Sequence, residues 1–85
     1  MTRNEKGGEK MKSNVFLGQL KMQGHNIEWL LNQMTERGVS ITKSTIYKKL
    51  RGESEFNASE IKVISDIMQY SEKEMYDIFF EELVS

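Results

Sequence analysis

The 85-residue sequence predicts an all-α domain built from five short helices. Three observations carry that expectation. Proline is absent, so no residue of that kind interrupts a helix. Capping residues recur at helix-length intervals, with Asn14, Asn26, Thr42, Asn57 and Ser71 as starts and Gly24, Gly38 and Gly52 as stops. Between them apolar residues return at helical spacing, and no strand-like alternation extends beyond "VSI" at 39–41.

The first helix is expected in "NVFLGQLKMQG", capped by Asn14 and closed at Gly24. The second, "NIEWLLNQMTERG", opens at Asn26 and closes at Gly38; Ile27, Leu30, Leu31 and Met34 fall on one face. "TKSTIYKKLRG" opens at Thr42 and stops near Gly52, with Ile46 and Leu50 as its apolar side. In "NASEIKVISDIMQY", Asn57 and Glu60 have capping-box spacing, and Ile61, Ile64 and Met68 form the stripe. "SEKEMYDIFFEEL" repeats the device with Ser71 and Glu74, and its stripe is Met75, Ile78, Phe79 and Leu83. Tyr76, Phe80 and Val84 make a second stripe on that last helix, which a thin core cannot easily cover. Residues 1–13 have methionine as their only apolar type and two adjacent glycines, and are expected to be disordered, leaving 14–85 as the domain. "GGEKM" has the form of a purine-rich ribosome-binding site read in frame, which makes Met11 a candidate natural start.

Composition narrows the function classes. Eighty-five residues make one small domain. With no cysteine and one histidine there is no disulfide framework and no metal-ligand spacing, so no metal or cofactor is expected. No apolar run approaches the roughly 20 residues of a membrane span, and no signal-peptide pattern is present, so a soluble intracellular protein is expected. No Ser/His/Asp set or phosphate loop appears, and Glu60 and Glu74 read as caps, so an enzyme is not expected. His25 reads as a surface or capping residue at a corner, Trp29 as a packing residue, and Glu53 and Glu55 as loop solvation. The net charge of −1 hides a split: residues 1–52 hold ten Lys and Arg against four acids, and residues 53–85 hold two against nine. A basic binding face and an acidic opposite end are therefore expected.

The basic part is concentrated in "ITKSTIYKKLRGESEF", with Lys43, Lys48, Lys49 and Arg51 before any acid. On a helix, Lys43, Tyr47 and Arg51 share one side, with Ser44 and Lys48 beside them, opposite Ile46 and Leu50. A helix of this length, about 12 Å, fits the DNA major groove. Lys and Arg can bond guanine edges or phosphates, Ser and Thr can bond either, and the helix N-terminus favours a phosphate. A preceding helix, a short turn through Val39, Ser40 and Ile41, and this basic helix make a helix-turn-helix arrangement.

"TKSTIYKKLRGESEFNASEIKVISDIMQYSEKEMYDIFF" resembles the small phage and prophage regulators of the Cro/CI (XRE-type) helix-turn-helix family. The marks are Ser44-Thr45-Ile46 with Leu50 and Gly52, Ser54-Glu55-Phe56, Glu60-Ile61 and Ile78-Phe79-Phe80. The second helix departs from the many members that carry Gln near its start, having Asn26, Ile27 and Glu28 there, and the turn around "TERGVSI" is longer. The resemblance implies a lambda-repressor-like five-helix domain in the bacterial cytoplasm that binds double-stranded operator DNA and regulates transcription, most simply as a repressor. Thr42, Lys43, Ser44, Thr45, Tyr47, Lys48 and Arg51 are the expected DNA-binding residues. A homodimer through Tyr76 and Phe80 of the last helix is expected, since such proteins often read two half-sites. The alternative is a small helical protein-interaction module, such as an anti-repressor or excision accessory protein.

Overall fold

The computed structural model describes residues 11–80, which form five α-helices: α1 Ser13–Met22, α2 Ile27–Glu36, α3 Lys43–Leu50, α4 Ala58–Met68 and α5 Glu72–Phe79. No strand occurs among the described residues. Four of the five helices start on the residue whose side chain was expected to cap them. Asn26 Oδ1 accepts the Trp29 amide at 2.9 Å, and Thr42 Oγ1 accepts the Thr45 amide at 3.2 Å. Both capping boxes form, Asn57 with Glu60 and Ser71 with Glu74, satisfying two otherwise free amides at each start. Gly24, Gly38 and Gly52 all have positive φ, which lets the chain reverse after α1, α2 and α3.

The first helix start differs from expectation. Lys12, not Asn14, holds the N-cap position, with no side-chain cap bond. Tertiary contact sets this point instead. The Lys12 amide donates to the Ile78 carbonyl at 2.7 Å, and Met11 is buried in the core. Met11, Lys12 and Ser13, expected in the disordered segment, are therefore packed with the five helices. Residues 1–10 lie outside the described residues. At the other end α5 stops at Phe79, and the Phe80 amide bonds the Tyr76 carbonyl. Leu83 and Val84, expected on its stripes, lie outside the described residues.

Each helix gives apolar residues to one core, and for α2 to α5 these come from the predicted stripes, with Leu31 and Met75 only partly buried. Phe16 and Leu20 come from α1, Ile27, Leu30 and Met34 from α2, Ile46 and Leu50 from α3, Ile61, Ile64 and Met68 from α4, and Ile78 and Phe79 from α5. Burying one such side chain contributes about 1.5–3 kcal/mol. α2 packs on both α3 and α4, while α5 packs on α1 and α4. α3 is anchored through Ile46 and Leu50, while Lys43, Ser44, Tyr47 and Lys48 face outward. Phe80 is half-buried against the core, beside Phe79 at 6.5 Å and Tyr76 at 5.4 Å between ring centres, so it is in part the core residue that its position allowed. Tyr76 is 48% exposed.

Candidate nucleic-acid interface

Eight residues form α3, and their division into two sides follows from the helix period. Ile46 and Leu50, four apart, are buried. Lys43, Ser44, Tyr47 and Lys48 are exposed, as are Thr42 and Arg51 at the two ends. Thr45 is half-buried, and its hydroxyl accepts a 2.9 Å hydrogen bond from Thr42. The structure thus brings six of the seven expected residues to one exposed surface and ties the seventh to the cap. Tyr47 is 37% exposed, at the edge of that surface.

The cations are not equivalent. Lys43 Nζ donates to Glu28 Oε2 at 3.1 Å, reaching from the start of α3 to the start of α2. That hydrogen bond, then the Glu28 charge, raises the Lys43 pKa above its ordinary value. Arg51 Nε donates to Glu53 Oε2 at 2.7 Å, so Glu53 is an ion-pair partner and not merely loop solvation. The same contact holds the Glu53 carboxyl below its usual range and the Arg51 guanidinium above its own. Lys48 is exposed, and its charge acts on the Glu53 carboxylate from a distance, as a lesser influence than Arg51. Lys49 faces the other way. Its ammonium donates to Glu60 Oε1 at 2.9 Å and to the Glu55 carbonyl at 3.0 Å, and it lies 5.8 Å from the centre of the Phe56 ring. Lys49 and Glu60 are each about a tenth exposed. The fourth cation of the cluster is therefore a clamp between α3 and the capping box of α4.

Sequence reasoning missed Glu28 and Glu53 as members of this surface. Glu53 follows Arg51 by two residues and was within local reach; Glu28 lies 15 residues before Lys43 and carries no local signal. His25 stacks on Trp29 with ring centres 3.6 Å apart, so Trp29 packs as expected and His25, expected as a surface or capping residue, packs with it at the α1–α2 corner. Among the described residues no three His, Cys, Asp or Glu side chains converge, and no helix is long and apolar enough to cross a membrane.

Fold and surface together define a five-helix all-α domain with one outward, cation-bearing helix. No family model, curated protein or solved structure matches the chain.

Proposed function

We propose that the chain is a sequence-specific DNA-binding regulator of transcription in which α2 and α3 form a helix-turn-helix and α3 reads double-stranded operator DNA. One observation carries the reading: α3 is anchored by Ile46 and Leu50 and turns Ser44, Tyr47 and Lys48, flanked by Lys43 and Arg51, outward. Such a helix can enter a major groove with base-bonding groups in its middle and phosphate-bonding groups at its ends. Thr42 and Thr45 support its N-terminus, where free amides favour a phosphate. The resemblance to Cro/CI regulators supports a phage or prophage repressor that acts in the bacterial cytoplasm by occupying an operator and blocking polymerase. A second copy docking through Tyr76 and Phe80 would let two α3 helices address two half-sites.

Gel-shift titration on duplex DNA across a salt series tests the reading. Affinity should fall steeply as salt rises, and Lys48→Ala should weaken binding by about 1–3 kcal/mol if its contact is to a base edge. Binding that ignores both salt and Lys48→Ala would refute it. A groove of about 480 Å³ between α4 and α5, lined by Ile61, Met75, Tyr76 and Phe80 among others, favours the second reading, a module holding a protein partner. An apolar interface of that kind should resist salt and ignore Lys48→Ala.

A further inference from the structure

The two cations at the ends of α3 are each held by a carboxylate from outside the helix. Glu28 holds Lys43 at 3.1 Å, and Glu53 holds Arg51 at 2.7 Å. All four side chains are more than half exposed, at 54% and 69% for Lys43 and Glu28 and 56% and 54% for Arg51 and Glu53. Ion pairs in such settings contribute little to stability, so holding the fold does not explain them. The contrast is Lys49 and Glu60, a tenth exposed and tied into the α4 cap. The exposed pairs flank Ser44, Tyr47 and Lys48 and leave those three side chains open.

We propose that Glu28 and Glu53 are built-in competitors for DNA phosphates, occupying Lys43 and Arg51 until a phosphate displaces them and thereby holding down attraction to DNA of arbitrary sequence. This rests on the DNA-binding reading above. The physical basis is charge at short range. With both acids present, the five groups Glu28, Lys43, Lys48, Arg51 and Glu53 sum to one positive charge; without the acids, the three cations act unopposed. Each carboxylate also stays beside any phosphate that takes its cation and repels it. Sequence-independent affinity follows the number of phosphates neutralised, so it is the part most reduced. The acids pair directly with Lys43 and Arg51 and not with Ser44, Tyr47 or Lys48, of which only Lys48 feels the charge of Glu53, at longer range. The ratio of specific to non-specific affinity therefore rises.

The test is fluorescence anisotropy on a mixed-sequence duplex of about 20 base pairs, between about 50 and 200 mM salt. The full chain is compared with Glu28→Gln, Glu53→Gln, the double variant and Lys48→Ala. Gln preserves shape, and both positions are exposed, so thermal melts should match the parent. Each Gln variant should bind about three- to tenfold more tightly at the lower salt. The slope of log affinity against log salt should steepen by about 0.9 for each freed cation. If the parent binds and Lys48→Ala weakens it, but the Gln variants bind no tighter, the competitor role is wrong while the DNA reading stands. If neither the parent nor the double variant binds the duplex, the DNA reading falls and the inference with it.

Discussion

Lys48 and Lys49 are neighbours in the chain with opposite surroundings. One helical step, about 100°, carries the charge from open surface to a pocket under Phe56. Lys49 bridges Glu60 and the Glu55 carbonyl, and Glu60 in turn accepts the Asn57 amide at 2.9 Å. Removing the lysine leaves a mostly buried carboxylate with one remaining donor. Lys49→Ala should therefore cost about 1–3 kcal/mol, read as a lowered melting temperature. Adding Glu60→Gln should recover part of the loss, because Gln can still cap and carries no unpaired charge. Lys48→Ala should leave the melt unchanged. Equal melts for Lys48→Ala and Lys49→Ala would refute the clamp.

Among the helices, α4 shows one local cost. It ends at Gln69, which sits in the left-handed region at φ 61°, where the turns after α1, α2 and α3 place glycine. A side chain there costs about 1–2 kcal/mol relative to the right-handed region, a penalty glycine avoids. No hydrogen bond from the Gln69 side chain offsets it among the described residues. Gln69→Gly should therefore raise stability by about 0.5–1 kcal/mol, a gain measurable by denaturant titration. A lower midpoint would show that the Gln69 side chain supports the α4–α5 corner. The turn matters because it sets where α5 lies, and with it Tyr76, Phe80 and the groove they border.

Across the whole domain, the first and last parts of the described residues are tied together. The Lys12 amide bonds Ile78, and the Tyr70 hydroxyl donates to Gln19 Oε1 across 51 residues of sequence. Burial, then the charge of Glu74, pushes the Tyr70 phenol up to about 12. In an unfolded chain it titrates near about 10. The fold thus favours the neutral phenol, so its contribution is intact below about pH 10 and is lost as pH rises toward about 12. Melts from pH 8 to 12 for the parent and Tyr70→Phe should differ most at the lower end and converge above about pH 10; parallel curves would refute the linkage. The acidic end bears on assembly. The proposed dimer through Tyr76 and Phe80 would bring Glu72 and Asp77 near their symmetry mates, and salt screens such repulsion within about 8–10 Å. Self-association through that face should tighten as salt rises, opposite to the salt effect that the proposed DNA binding should show. Tyr76→Glu is the clean probe, since Tyr76 is exposed while Phe80 is packed on the core. Sedimentation showing a monomer at every salt, for parent and Tyr76→Glu alike, would remove the dimer.

Most of the fold was legible because helix starts and stripes are local. Asn26, Thr42, Asn57 and Ser71 cap amides three residues ahead, and Ile61, Ile64 and Met68 share a face by spacing alone. The separation of Ile46 and Leu50 from Lys43, Tyr47 and Lys48 follows from the same period. What could not be read was every contact that joins residues distant in sequence. Met11 and Lys12 enter the domain because Ile78 offers a carbonyl to one and the core has room for the other. Phe80 turns partly inward because α1 and α4 both pack on α5. Lys43 meets Glu28 only because two helix N-termini come side by side. A helical period states which residues share a face, but it carries no record of which helix that face will meet. Side-chain partners, and with them the charge that the α3 surface presents, were therefore decided by packing.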